Sequence, residues 1–370
     1  WLSSKKGSEA YLEPVVDRAK GIWRFLVRTG APKDRAVLRA GTKTHPKRWQ
    51  FRCLLTGDPI EEEHVKREGQ AGRIQARLVA TVADTGRGRV YLPASDEQEK
   101  IQRQACPAWR PDAAMPDNRR WFSPPAAGLA TYGDLFSPRQ LTAMVTLSDL
   151  VREVREDVRQ DALAAGMSEA DVEDYARAVV TFLGLALGKA SDYHNSLSRW
   201  SHSSYQPVRG LFGRQAIPMV WDFAETNPLA KTTVAWEGVV DKVAEALEAI
   251  PGPALPQGHA RSLDAASPWD GLKDVLVSTD PPYYDNIGYA ALSDFFYVWL
   301  RRTIGDLYPD LFGTILVPKE PELVAAPERF GGDKQKAKEH FEAGFRRAFA
   351  ALREKMDPRF PLTVYYAFKQ

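Results

Sequence analysis

Cysteine is nearly absent: Cys53 and Cys106 are the only two in 370 residues. Two thiols cannot build a disulfide framework, and the pair fits a reducing compartment. No run of apolar residues approaches the roughly 18 that a membrane span needs. The opening Trp1-Leu2-Ser3-Ser4-Lys5-Lys6 lacks the apolar stretch of a signal peptide. The expectation is a cytoplasmic protein with no membrane partner. Excess charge is missing too, because 50 Lys and Arg face 48 Asp and Glu for a net +2. That balance excludes polyanion binding through bulk charge, so any nucleic-acid contact must be local. There is no initiator Met, and Leu362–Gln370 reads as a strand that stops, so the chain reads as a piece of a longer protein. What it has in quantity is apolar surface: 44% hydrophobic residues suit a large core and two domains.

Four regions follow from composition and periodicity. Residues 1–103 read as a mixed α/β insertion. Within it, positions 18–52 carry eleven Lys and Arg against the single acid Asp34, interleaved with Trp23, Phe25, Trp49 and Phe51. Cations can pair with phosphates while aromatics stack on bases, and a solvated basic face with core aromatics gives the same pattern. Residues 71–94 alternate as strands around Gly86-Arg87-Gly88. Residues 104–135 are rich in Pro and Ala with little period and read as a linker or surface loop. Residues 136–260 read as mostly helical. Ser137-Pro138 starts one helix and Ser168-Glu169-Ala170-Asp171 caps the next.

In residues 261–370, Asp274-Val275-Leu276-Val277-Ser278-Thr279 has the pattern of a buried parallel strand. Two helical patterns and a terminal strand follow. The stripe Phe341, Phe345, Phe349, Leu352 and Met356 reads as core. The order β-α-α-β predicts an open α/β sheet, cut off at its end. Directly after the first strand stands Asp280-Pro281-Pro282-Tyr283, at the carboxyl end where open α/β sheets hold their ligands.

A D-P-P-Y loop after a strand resembles the signature of S-adenosylmethionine-dependent methyltransferases acting on exocyclic amino groups of DNA bases. The longer stretch Asp280–Ala290 with Leu292–Arg301 is similar to adenine-specific DNA methylases that carry a zinc-ribbon insertion. Likeness extends to Gly72-Arg73-Ile74, to Arg87–Leu92 and to Trp221–Pro228. The resemblance implies a Rossmann-like methyltransferase sheet, incomplete here, with helical and mixed α/β insertions. It implies methyl transfer to adenine in DNA, with S-adenosylmethionine as cofactor and DNA as partner, in the setting of restriction-modification. Related loops also serve enzymes acting on RNA, on cytosine amino groups or on protein amides. A plain turn is the bland alternative, since Asp and Pro are both turn formers.

The chemistry of the loop can be stated directly. An adenine amino nitrogen is a poor nucleophile because its lone pair is delocalised into the ring. Acceptors for its N–H groups are needed, and Asp280 supplies a carboxylate and Pro281 a backbone carbonyl. Pro281 and Pro282 hold the loop rigid. Tyr283 offers a flat face for a base flipped out of a duplex. Tyr284, Asp285, Asn286 and Tyr289 are candidate pocket residues, and Asp280 is the one candidate contact to the cofactor.

Two family features are absent. No glycine-rich F-x-G-x-G turn occurs, and the chain order places it ahead of Trp1. Cys53-Leu54-Leu55-Thr56 has threonine where a zinc ribbon has its second cysteine, and one thiolate cannot hold a structural zinc. No metal is expected. A non-catalytic nucleic-acid-binding remnant, built on residues 18–52, is the alternative function. Asp222, Glu225 and Asn227 form a polar group beside Trp221 that reads as contact to cofactor or base, or as a solvated loop.

Overall fold

The computed structural model describes residues 1–203, 208–250, 258–267, 271–284 and 287–366. The chain divides into two compact units, Trp1–Lys242 and Val243–Gln370. It is mixed α/β, and every sheet among the described residues has two strands.

The first unit opens with a regular antiparallel hairpin, β1 (Ala10–Asp17) and β2 (Ile22–Thr29), in register from Ala10 opposite Thr29 to Asp17 opposite Ile22. Helix α1 (Arg35–Ala40) follows, its first N–H groups capped by Asp34. Strands β3 (Phe51–Arg52) and β4 (Pro59–Ile60) form a short knuckle, and α2 (Glu62–Gln70) comes next. Strands β5 (Ala80–Asp84) and β6 (Arg89–Pro93) form the hairpin around Gly86–Gly88 that alternation predicts. A capping box of Ser95 and Gln98 starts α3 (Asp96–Gln104).

Two long helices form the centre of this unit: α4 (Pro138–Ala164) and α5 (Glu169–Tyr193). Both start where the sequence places them. The Ser137 hydroxyl accepts from Gln140 N at 3.2 Å, and that of Ser168 accepts from Asp171 N at 3.2 Å. Strands β7 (Arg199–Trp200) and β8 (Val208–Arg209) and helix α6 (Trp236–Glu248), within which the two units divide, complete the series.

Residues 104–135 differ from the expected linker or surface loop. Beyond Gln104 they run through the core of the first unit: Tyr132 and Leu135 are fully buried, and Trp121 and Phe122 nearly so. Their backbone polar groups are satisfied singly instead of by a ladder. Met115 N donates to Ala130 O at 2.9 Å, Gly133 N to Pro111 O at 2.7 Å and Ser123 N to Ile217 O at 3.1 Å. The close fit shows at Gly69 of α2, where a Cβ would lie 2.2 Å from the carbonyl oxygen of Ala127. Only glycine lets these backbones meet.

His194, at the end of α5, is 2% exposed and closes the same unit. Its Nε2–H donates to Val234 O at 2.9 Å and its Nδ1 accepts from the Thr226 hydroxyl at 3.0 Å, which fixes the neutral tautomer. Burial is the main cause that lowers its pKa. Below the ordinary imidazole value the unfolded chain therefore takes up a proton that the folded chain refuses, and stability falls as pH drops through that range. The melting temperature is expected to fall between pH 7.5 and 5.5, and the fall to be smaller in His194→Gln. An unchanged fall would mean that other groups carry it.

The second unit contains β9 (Ser278–Thr279), α7 (Tyr289–Ile304), the single turn α8 (Pro309–Phe312), α9 (Lys334–Lys355) and β10 (Thr363–Val364). Strands β9 and β10 pair in parallel, Ser278 opposite Thr363 and Thr279 opposite Val364. A further parallel bridge joins Val275 to Met356. The predicted strand-helix-helix-strand order is present, with one parallel pair where a wider open sheet was expected. Val277 is buried but Leu276 is 68% exposed, so only one face of this strand is covered. A strand inside a doubly wound sheet is covered on both faces. Of the expected stripe on α9, Phe341 and Leu352 are buried, and Phe341 stacks on Phe345 at 4.4 Å between centroids.

Candidate functional site

Asp280-Pro281-Pro282-Tyr283 leaves the carboxyl end of β9 directly. Tyr365 N donates to Thr279 O at 2.8 Å, so the parallel pairing continues to the residue before Asp280. The two prolines that follow cannot donate to a ladder, and the strand ends there for that reason. Asp280 is exposed, and Pro281, Pro282 and Tyr283 are half-buried.

Aromatic rings gather around this carboxylate. Tyr283 packs edge-on against Tyr366, just beyond β10, with centroids 5.3 Å apart. The Tyr366 hydroxyl accepts from Tyr284 N at 3.3 Å. Tyr284 is turned edge-on to Phe341 of α9 at 5.0 Å. Tyr289, the first residue of α7, has its phenol pKa raised by partial burial first and then by Tyr283, Asp280 and Glu322. The structure thus brings Asp280, Tyr283, Tyr284 and Tyr289 of the predicted set together. Asp285 and Asn286 lie outside the described residues. Tyr284, Tyr289 and Tyr366 are each about two-fifths exposed, so the ring cluster is open to solvent.

Two carboxylates fasten the segment 313–332 to α7 and so shape the site. Glu322 accepts from Ala290 N at 2.9 Å and caps a helix whose N-cap, Gly288, has no side chain to do so. Arg329 pairs with Glu322 from within the same segment. Asp294, fully buried on α7, accepts from Val317 N at 2.9 Å and pairs with Lys319 at 2.8 Å. The segment then reaches the loop itself, where Ala325 N donates to Tyr284 O at 2.8 Å. Glu322 and Tyr366 escaped the sequence reading, for each comes from a segment remote from the motif. A glutamate with no periodic context and a tyrosine in a terminal strand carry no local signal.

The other candidates separate clearly. Glu225 accepts from the Ser137 hydroxyl at 3.2 Å and pairs with Arg139 at 2.9 Å, so it buttresses the start of α4. Asn227 accepts from Leu229 N in a local turn. Trp221 lies edge-on to both Trp49 and Phe51, which places two aromatics of the basic segment in packing contacts. All eleven basic residues of 18–52 are exposed. Three of them pair with carboxylates of the first hairpin or of Glu9 just before it: Arg28 with Glu13 at 2.6 Å, Arg35 with Glu9 at 3.1 Å and Lys20 with Asp17 at 3.8 Å.

The knuckle between β3 and β4 is closed by Cys53 N donating to Asp58 O at 2.8 Å and Gly57 N donating to Cys53 O at 2.9 Å. Hydrogen bonds from Thr56, first from its backbone and then from its side chain, lower the pKa of the Cys53 thiol. Among the described residues no group of three or more His, Cys, Asp or Glu could hold a metal ion. Nor is any helix among them long and apolar enough to cross a membrane.

S-adenosylmethionine needs backbone that approaches it closely, usually at a glycine-rich turn after a strand. Gly331 and Gly332 adopt left-handed conformations, but they follow a 3₁₀ turn (Pro327–Phe330) and precede α9. Comparison with protein-family models, with curated proteins and with solved structures returned no match to this chain.

Proposed function

We propose that this chain carries the acceptor-base loop of a DNA methyltransferase acting on the exocyclic amino group of adenine, with S-adenosylmethionine as methyl donor and a Rossmann-like sheet as its frame. One observation carries the reading: among the described residues of the loop an exposed carboxylate, Asp280, stands at the carboxyl end of a parallel strand near the rings of Tyr283 and Tyr289. A flipped adenine would stack on Tyr283 while its amino group donates to the Asp280 carboxylate and the Pro281 carbonyl. Accepting those N–H bonds raises the electron density on the nitrogen and favours its pyramidal form, which frees the lone pair from the ring. Because the prolines stiffen the loop and Ala325 N holds it at Tyr284 O, little reorganisation accompanies the reaction. Neighbouring Tyr289 keeps its proton at neutral pH and can donate to the base or to Asp280.

A nucleic-acid-binding role without catalysis is favoured by a different observation, the eleven exposed cations of residues 18–52. In protein that carries this chain together with its cofactor side, incubation with methyl-labelled S-adenosylmethionine and duplex DNA separates the two. Label recovered in N6-methyladenine is the expected result. Salt-sensitive DNA binding with neither cofactor binding nor transfer would replace the methyltransferase reading by the binding one.

A further inference from the structure

The ring cluster at the end of β9 runs on into an uncovered face of the strand pair. Register partners of a parallel pair share a face, and along each strand the faces alternate with period two. Ser278 stands opposite Thr363, so Leu276 and Ser278 share one face with Thr363 and Tyr365. All four are exposed, Tyr365 at 61%. Tyr365 N still donates to Thr279 O, and the same register continued by one residue sets Tyr365 beside Asp280. The carboxylate is thus flanked by two tyrosines, Tyr283 along the chain and Tyr365 across the pair.

Charge is distributed quite differently from the rings. The segment 313–332, which borders the loop, has two cations, and both are engaged: Lys319 with Asp294 and Arg329 with Glu322. None of Leu276, Ser278, Asp280, Thr363 and Tyr365 is cationic. A duplex is held chiefly through its phosphates, and this face offers them little. To bases it offers rings, and every base has a face that stacks on one. Ser278 and Thr363 add hydroxyls that donate to or accept from the polar edges of a base.

We propose that this face takes the acceptor as a single DNA strand, the target base on Tyr283, a flanking base on Tyr365 and the phosphates turned to solvent. This assignment rests on the reading of Asp280–Tyr283 as an acceptor-base loop and names the form of its substrate. A base that is already unpaired spares the unstacking and unpairing that extrusion from a duplex requires. Because the contacts are rings and hydroxyls, they release no counterions, and their share of the binding is independent of salt.

Fluorescence anisotropy of the full chain, without S-adenosylmethionine, against a short labelled adenine-containing DNA as single strand and as duplex tests it. Tighter binding of the single strand is expected. Tyr365→Ala should weaken that binding by about fivefold or more, without changing the slope of affinity against salt, and Tyr365→Phe, which keeps the ring, should restore it. The side chain is exposed, so the alanine variant is expected to fold. Irradiation of a bromouracil-substituted strand should crosslink it to the peptide that holds Tyr365. A duplex bound as tightly as the strand, unchanged affinity in Tyr365→Ala, or crosslinks confined to residues 18–52 would each overturn the proposal and leave the methyl-transfer reading standing. Strand binding at Tyr365 with no transfer, in protein that carries the cofactor side, would support the surface and remove the methyl-transfer reading alone.

Discussion

Asp280→Ala is expected to reduce methyl transfer to adenine by about two to three orders of magnitude while leaving the melting temperature unchanged. Both halves of the expectation come from the same placement. The side chain is exposed, so folding gains little from it, and it stands where an amino group would need an acceptor. Asp280→Asn keeps one acceptor oxygen and gives up the charge, so it should fall between alanine and the unmodified protein. Single-turnover transfer to DNA, in protein that carries the cofactor side, reads the effect. The loss should lie in the rate of transfer, not in DNA affinity. Retained transfer in the alanine variant would remove Asp280 from the chemistry.

The largest effect on stability is expected at Phe295→Ala. This ring is fully buried on α7, edge-on to Phe296 at 5.2 Å, and it is flanked along the chain by the buried Asp294. Truncating a core phenylalanine removes its transfer free energy and leaves a cavity, together about 3–5 kcal/mol. Urea unfolding followed by circular dichroism would measure it. Because α7 starts with Tyr289, its loosening should also disturb the rings around Asp280 before the unit melts. A loss below about 1 kcal/mol would mean that the neighbours close over the gap.

Much of the local structure was legible because it follows from local chemistry. Ser137-Pro138 and Ser168 announce α4 and α5, since a hydroxyl that satisfies orphan N–H groups acts within one turn of chain. Gly86–Gly88 likewise announces the β5–β6 hairpin. The D-P-P-Y loop stands out against its preceding strand for the same reason. What escaped depends on distant partners. The buried course of Met115, Trp121 and Tyr132 has no period, because its hydrogen bonds go one by one to unrelated segments. The apolar run Val275–Val277 reads as covered on both faces, yet Leu276 lies in solvent. Hydrophobicity records what a strand could bury, not how many layers meet it. Glu322 could be found only through the helix start that it caps.

The partnership of Tyr284 and Tyr366 has a bearing on the order in which the second unit assembles. The two residues are 82 positions apart in the chain, yet a hydrogen bond from Tyr284 N to the Tyr366 hydroxyl joins them, and the Tyr366 ring packs on neighbouring Tyr283. Closing a loop of that length costs roughly 4 kcal/mol in chain entropy before any contact repays it. Helices α7 and α9 can form from neighbouring residues within that loop, whereas the parallel pairing of β9 with β10 must wait for both ends to meet. The arrangement around Asp280 is therefore the last thing the unit acquires as it folds. During synthesis the loop would stay unshaped until Tyr366 has left the ribosome.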